Sequence, residues 1–238
     1  MNRSIVFCIS LIVLLLSSCA VGSRRVVTED REVSSFDQVD FGGIGELTIT
    51  QGDRESLRIE AESNVMRRIT TEVKGGTLHI EMKSGWFGLS VVPTKPIKYN
   101  LTTKEINTLD LSGLGSVYAG EITADRLDLR LSGAGKTVIR SLNADILVID
   151  HTGVGKCELS GEVRRQEISL TGAGDYDAAD LRSESVEVDI SGLGKATVWA
   201  TETLDIELTG AGSVHYYGNP RVTQNVSGLG RVRSLGSH

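Results

Sequence analysis

Residues 109–115 read LDLSGLG, and residues 129–135 repeat the pattern as LRLSGAG. Each stretch ends in the tetrad Ser/Thr-Gly-x-Gly, which occurs seven times at spacings of 20, 20, 19, 20, 18 and 18 residues. The copies begin at Ser112, Ser132, Thr152, Thr171, Ser191, Thr209 and Ser227. Self-similarity at such a regular period is typical of solenoids, in which each repeat is one unit of a stacked column.

Apolar and polar residues alternate on both sides of the tetrad. In the first copy, Leu109 and Leu111 flank Asp110, and Val117 and Ala119 continue the alternation beyond the second glycine. This period of two predicts β-strands with one buried face. One tetrad per full period favours a parallel β-helix, all-β and right-handed by the usual crossover rule, with about 18–20 residues per coil. An up-and-down meander, the rival architecture, needs alternating hairpin turns.

The glycines of the tetrad fit a tight corner. Glycine reaches positive φ without a Cβ clash, and a stacked bend leaves little room for side chains. We expect the Ser or Thr hydroxyl to bond the backbone of the corner and to form a ladder from coil to coil. The residue between the two glycines is apolar in all seven copies.

The chain divides into four segments, of which the last two together form one folded domain. Residues 1–18 are a predicted signal peptide, 19–32 a lipidated cysteine and tether, 33–105 an irregular N-terminal β cap, and 106–238 the regular coils. Strand-like runs in the cap lie at residues 46–50, 57–60, 77–81 and 97–101. Residues 41–45 form a degenerate tetrad, and Ser63 is a candidate cap for a short helix over 64–70.

The N-terminal residues predict a lipoprotein. An apolar run over 5–16 is too short for a membrane span of about 20 residues, and it ends in LSSCA, with Cys19 where cleavage is expected. The pattern resembles a bacterial lipoprotein box. This resemblance implies that Cys19 carries acyl chains, such as palmitate, and that these chains anchor the protein in the membrane. The presence of Ala20 after the cysteine favours a location in the outer membrane. The folded part of the protein would then face the periplasm or the cell surface. The alternative is an ordinary signal peptide or an uncleaved anchor.

Charge and cysteine content exclude some functions. The net charge of −6 argues against a nucleic-acid binder, which needs a basic face. Cys157 is the single cysteine left after cleavage and acylation, so no intrachain disulfide is expected, and we interpret Cys157 as a small core residue. His151 replaces Leu or Ile in an inward column, and we interpret it as a hydrogen-bonded core histidine.

Several segments resemble the head GIN domain family of auto-transporter adhesins, a bacterial family of unknown function. The matching residues are 36–39 (FDQV), 45–53 (GELTITQGD), 72–78 (EVKGGTL) and the LxLSGxG coils, so the resemblance covers about residues 33–235. It implies a β-helical protein of the cell envelope and an adhesin-like role, and it supplies no catalytic residue.

Two kinds of candidate site stand out. Trp199 and Tyr217 fall on adjacent coils, where their rings could stack about 4.8 Å apart as a platform for a sugar ring or a partner protein. Trp86 and Phe87 form a second, loop-borne aromatic pair, and packing of the cap is the alternative for both pairs. The run GAGDYD, with Asp175 and Asp177, is a weak calcium candidate within an acidic outer face, and a solvated face is the favoured interpretation.

These observations predict a non-catalytic envelope lipoprotein that presents a rigid surface to a glycan or an envelope protein, without a cofactor, metal or nucleic acid. The HExxH, GxSxG and P-loop motifs are absent. Short, even coils leave no long loops to wall a substrate cleft. The alternatives are a polysaccharide-active β-helix enzyme and a structural or lipid-contacting periplasmic protein. Open ends of the β-helix could pair two copies into a homo-oligomer.

Overall fold

The computed structural model describes residues 21–83 and 91–238. The predicted signal peptide, Cys19, Trp86 and Phe87 lie outside these residues. Among the described residues no helix is long and apolar enough to cross a membrane. The described chain contains one helical turn, α1 (Ser63–Met66), and sixteen strands: β1 (Val26–Arg31), β2 (Gln38–Gly42), β3 (Ile44–Gln51), β4 (Ser56–Glu62), β5 (Ile69–Lys74), β6 (Thr77–Met82), β7 (Lys98–Thr103), β8 (Thr108–Leu111), β9 (Leu114–Leu131), β10 (Ala134–His151), β11 (Val154–Leu170), β12 (Asp175–Ile190), β13 (Lys195–Leu208), β14 (Ser213–Tyr217), β15 (Arg221–Val226) and β16 (Arg231–Gly236).

Strands β9 to β13 stack in parallel, each one coil further along the chain. Leu127 on β9 pairs with Leu147 on β10, and Leu147 pairs with Gln166 on β11. The fold is therefore the predicted parallel β-helix, a solenoid of about six turns, and the meander is excluded. The degenerate tetrad is also confirmed as a corner, because Ile44 and Gly45 pair with Leu114 and Gly115 of the first regular copy.

Each coil has three inward-facing segments: the two that flank the tetrad, which the alternation predicts, and a third that it does not predict. On β10 every second residue is buried within a segment, whereas at each bend two exposed or half-buried residues stand between successive buried ones. They are Thr137 and Ile139, then Leu142 and Ala144, then Leu147, Ile149 and His151. The extra segment was missed because the two bends shift the alternation by one residue each. Stacked over all coils, the three segments form one continuous hydrophobic core.

Close approach between coils explains the corner glycines. A Cβ atom on Gly133 would collide with the carbonyl oxygen of Gly113, and one on Gly153 with the carbonyl oxygen of Gly133. Positive φ is required at a minority of corners, such as Gly155 and Gly228. The corner bonds are between backbone groups, as from the Gly133 amide to the Leu111 carbonyl at 2.9 Å. The Ser and Thr side chains of all seven tetrads are exposed. Among the side-chain hydrogen bonds of the described residues, such as that from Ser160 to the Arg140 carbonyl, none involves a tetrad hydroxyl, so the expected hydroxyl ladder is wrong.

The N-terminal cap ends the solenoid with antiparallel strands. On one face β3 pairs with β7, β7 with β4, and β4 with β1, the last two pairings being antiparallel. On the other face β8 pairs with β2, β2 with β6, and β6 antiparallel with β5. Residues 26–31, which we expected in the tether, thus belong to the folded cap as β1. The expected helix is one turn, in which Ser63 is the first residue and Glu62 occupies the N-cap position.

A buried carboxylate holds the start of the described chain against the cap. Glu62 is 0% exposed, and its oxygens accept hydrogen bonds from the Arg24 amide (2.5 Å), the Thr94 amide (2.6 Å), the Thr94 hydroxyl (2.7 Å) and the Lys95 amide (3.2 Å). Burial alone would raise the pKa of Glu62, but these hydrogen bonds outweigh it and lower the pKa to about 2. Glu62 is therefore a charged anchor between three segments.

The opposite end of the solenoid carries parallel strands. Strand β15 pairs with β13 and β16 with β14, and in both outer strands one valine, Val222 or Val232, packs partly against the core. The remaining residues of these two strands are exposed. Pairing of two copies through this end stays a prediction.

Candidate functional site

The predicted aromatic platform has the expected positions but is covered. Trp199 pairs with Tyr217 across β13 and β14. The imidazole of His238 stacks on Trp199, with ring centroids 4.1 Å apart and planes at 9°, and meets Tyr217 edge-on at 5.2 Å. The Nε2 atom of His238 lies 3.4 Å from the Asp180 carboxylate. The pair therefore accepts a flat ring, and here that ring belongs to the chain itself.

The calcium candidates lie among lysines. Asp175 pairs with Lys156 on one side and Lys195 on the other in the register of β11, β12 and β13. The Asp177 carboxylate is 3.2 Å from the Lys156 ammonium, which also bonds Glu158 at 2.7 Å. Neighbouring cations oppose binding of a further cation, so the surroundings favour the solvated face over a calcium site.

Carboxylates elsewhere on the acidic face also have cationic partners. Arg126 contacts Asp128 at 2.8 Å, and Arg165 contacts Glu167 at 2.8 Å and Glu187 at 3.2 Å. These exposed ion pairs each contribute about 0–1 kcal/mol to stability, but they lower the local negative charge.

Two buried residues have no part in a reactive site. Cys157 is fully buried, and burial raises the pKa of its thiol, so the thiolate needed for nucleophilic chemistry is disfavoured. His151 is 3% exposed, and burial lowers its pKa. Within the described residues the Nδ1 atom of His151 has no hydrogen-bond partner, contrary to the expectation of a hydrogen-bonded core histidine. A crevice of about 20 Å³ lies beside this ring.

A line of apolar side chains follows the tetrad corner from coil to coil, and we call this line the corner ridge. It consists of the residue between the two glycines of each tetrad, preceded by Ile44 of the cap. Its large members are 37–86% exposed. The corner ridge comprises Ile44, Leu114, Ala134, Val154, Ala173, Leu193, Ala211 and Leu229. The sequence shows that these positions are apolar, and the structure adds that they point into solvent.

Polar residues border the corner ridge on both sides. The exposed Ser and Thr side chains of the tetrads lie two residues before it, and a column containing Lys136, Lys156 and Lys195 lies two residues after it. Since each tetrad backbone stacks on the next, with the Leu193 amide bonding the Gly172 carbonyl at 3.0 Å, ridge side chains follow one another coil by coil. A rigid apolar line with a polar border is typical of an interaction surface.

Residues 35–220 match the family described as "Putative auto-transporter adhesin, head GIN domain". The chain belongs to this family. The match confirms the resemblance inferred from the sequence. The matched part begins in the cap and ends just after β14, so it leaves out the last two strands, β15 and β16. No curated protein matches the chain.

Solved structures show the same head GIN fold. A "putative adhesin" from Bacteroides fragilis is 29% identical with a TM-score of 0.85, covering 90% of this chain and 99% of that chain. A "putative lipid binding protein" from Parabacteroides distasonis is 24% identical with a TM-score of 0.75, covering 90% and 98%. A "putative adhesin" from Parabacteroides merdae is 20% identical with a TM-score of 0.70, covering 91% and 98%. The last two likenesses concern the fold alone.

Proposed function

We propose that this head GIN protein is a non-catalytic, adhesin-like component of the cell envelope that contacts a partner protein through the corner ridge. The observation that carries the proposal is the exposure of large apolar side chains at four regular coils, with Leu114 at 62%, Val154 at 56%, Leu193 at 71% and Leu229 at 86%. Their backbone is fixed in the stacked corners, so a partner would meet a preorganised surface.

The free energy available from burying the ridge is consistent with weak binding by one copy and stronger binding by many copies together. Full burial of one Leu or Val side chain contributes about 1.5–3 kcal/mol, whereas association costs about 4–15 kcal/mol. Burial of four such side chains contributes about 6–12 kcal/mol, which is similar to the cost of association, so a single contact through the ridge is weak. Adhesion between surfaces multiplies such contacts, because each bound copy raises the effective concentration of the next. The name of the family supports an adhesin-like role at the cell envelope or surface.

A membrane anchor at Cys19 is the second part of the proposal. An acylated Cys19 would lie seven residues before β1, close to the cap that Glu62 ties together. Many copies anchored in one membrane would display their ridges together. We place the protein in the outer membrane, with the solenoid facing the periplasm or the cell surface.

A lipid-contacting role is the second candidate function, and the lysine column beside the ridge favours it. An apolar stripe bordered by Lys136, Lys156 and Lys195 combines the two features that bind anionic bilayers. The name of the lipid-binding neighbour from Parabacteroides distasonis supports this candidate. Ion pairs from Lys136 and Lys156 to Glu158, at 2.6 and 2.7 Å, reduce the charge available to headgroups. We therefore rank it below a protein partner.

The ridge is tested with two sets of beads. One set carries the wild-type protein, and the other carries the triple variant Leu114→Ser, Leu193→Ser, Leu229→Ser. Adhesion of the beads is measured on immobilised glycoproteins, on glycans and on vesicles of phosphatidylglycerol and phosphatidylcholine. We expect adhesion to glycoproteins that the triple variant loses. The double variant Val26→Ser, Val92→Ser, which removes exposed apolar residues outside the ridge, is the control and should adhere normally. Loss in both variants, or in neither, contradicts the proposal.

Other results in this assay assign the surface differently. Adhesion to vesicles alone, lost in the ridge variant, supports the lipid-contacting role. Adhesion to glycans that Trp199→Ala removes and the ridge variant keeps would place binding at the aromatic pair instead.

Anchoring and exposure are tested by protease treatment of intact cells, alongside a Cys19→Ala strain. We expect the wild-type protein in the membrane fraction and the variant in the soluble fraction. Cleavage on intact cells supports adhesion to external partners, whereas protection until the outer membrane is broken restricts the partner to the periplasm. Retention of Cys19→Ala in membranes would overturn the anchor.

A further inference from the structure

Three metal-ligating side chains meet on the outer face of the N-terminal cap. Asp40 lies on β2, and His79 and Glu81 lie two residues apart on the neighbouring strand β6. One ligand atom from each residue lies within 4.8 Å of the other two. The Nδ1 atom of His79 is 3.0 Å from the Oδ2 atom of Asp40. The side chains of His79 and Asp40 are 34% and 30% exposed, so an ion from solvent can reach them.

A glycine leaves room for the third ligand. Gly42 faces Glu81 across the strand pair, and an added Cβ atom there would lie 3.9 Å from the Glu81 Cγ atom and 3.4 Å from the Ser112 hydroxyl. The gap at Gly42 is therefore a shallow hollow with Glu81 on one side and Ser112 on the other. The side chain of Glu81 is exposed to solvent.

Carboxylates predominate around the three side chains. Among the described residues, neither Asp40 nor Glu81 forms an ion pair with Lys or Arg, unlike Asp128 and Glu167 further along the same face. Asp110 pairs with Asp40 on the next strand, and Glu72 pairs with His79 on the other side.

From this geometry we propose that Asp40, His79 and Glu81 bind a divalent transition-metal ion, with zinc as the best match. One imidazole nitrogen with two carboxylate oxygens suits zinc better than calcium, which prefers oxygen ligands alone. Ligand atoms held tetrahedrally at about 2.0–2.2 Å from zinc lie roughly 3.4 Å apart. Asp40 and His79 already have nearly this separation. The remaining adjustment is a rotation of Glu81, whose ligand atom lies within 4.8 Å of the other two.

Three protein ligands leave one coordination position open. Zinc sites with three protein ligands hold water or a further ligand at that position. On the surface of an envelope protein, a carboxylate or imidazole of a second molecule could fill it. The proposed site lies on the cap and is independent of the corner ridge, so the failure of one proposal leaves the other standing.

The experiment is zinc titration of the full chain in detergent, by competition with a chromophoric chelator at neutral pH. We expect one zinc ion per chain. His79→Ala and Asp40→Asn should each weaken zinc binding by about tenfold or more, and Glu81→Gln should weaken it less severely. His215→Ala is the matched control, because His215 is an outward-facing histidine on β14, and it should bind zinc like the wild type.

Cobalt substitution gives a second readout. We expect visible absorption bands of four-coordinate cobalt in the wild type and in His215→Ala, and their loss in His79→Ala. Circular dichroism checks that each variant is folded, and His79→Gln replaces His79→Ala if the latter is not. Equal zinc affinity in His79→Ala and the wild type, or no zinc bound at all, would overturn the proposal.

Discussion

The phenol oxygen of Tyr176 lies 2.6 Å from the Oε1 atom of Gln166 in the interior of the solenoid. The amide of Gln166 in turn donates to the hydroxyl of Ser183, which donates to the Leu181 carbonyl at 3.3 Å. The side chains of Tyr176, Gln166 and Ser183 are all buried, so these three polar groups satisfy one another by hydrogen bonds in a largely apolar core. Removing one partner leaves a buried acceptor without a donor.

Tyr176→Phe should therefore destabilise the protein by about 1–3 kcal/mol, because the Oε1 atom of Gln166 loses its donor. Tyr118→Phe is the control. Tyr118 is half-buried on the outer face of β9, and its change should stay within about 0.5 kcal/mol. The midpoint of urea unfolding measures both. Equal midpoints for the two variants would show that the hydrogen bond does not matter for stability.

Gly133→Ala tests the close approach of the coils. The new methyl group would collide with the carbonyl oxygen of Gly113, and we expect a loss of about 1–3 kcal/mol. Gly120→Ala is the matched control, since a Cβ atom at Gly120 meets nothing within 4 Å. It should leave stability unchanged or raise it by about 0.4–1 kcal/mol. A tolerated alanine at Gly133 would contradict the steric explanation of the repeated glycines.

Glu62→Gln tests the charged anchor of the cap. The pKa of Glu62 is lowered to about 2 from its ordinary value of 4.5, so its contribution to stability is fully present above pH 4.5. This contribution falls as the pH drops from 4.5 toward 2. We expect Glu62→Gln to unfold at lower urea concentration than the wild type at neutral pH, and the difference to shrink in acid. Glu46→Gln, a change at an exposed residue of β3, should show little difference at either pH.

His238→Ala tests whether the aromatic pair is covered in solution. In a Trp86→Phe background, Trp199 is the single tryptophan, and removing the stacked imidazole should increase quenching of its fluorescence by acrylamide. Ser237→Ala serves as the control. Quenching that is the same in all three proteins would mean that His238 does not rest on Trp199.

The repeat made most of the fold predictable. Seven tetrads with alternating flanks such as 109–111 identify the strands, and the constant period identifies their parallel stacking. The third inward segment, with Leu142 and Ala144, was not predicted because each bend breaks the alternation. The role of Ser63 was also misassigned, since a one-turn helix carries too little sequence pattern to define its first residue.

The candidate sites were less predictable because contacts between distant residues depend on register. Asp40 and His79 are 39 residues apart, and their pairing follows from the alignment of two cap strands that lack the tetrad. The positions of Trp199 and Tyr217 followed directly from the repeat, but the stacking of His238 on Trp199 did not. The apolar character of the corner ridge was visible in the sequence. That these side chains point into solvent was not predictable, because their direction depends on the path of the backbone through the corner.

The stacking of β9 to β13 also has a mechanical consequence. Hydrogen bonds between coils run along the solenoid axis, so a force that pulls the two ends apart loads them one coil at a time. A coil of 20 residues that peels away would release about 65 Å of extended chain. A tethered molecule would then lengthen in successive steps under tension, with each step dissipating work, while the coils that remain keep their shape.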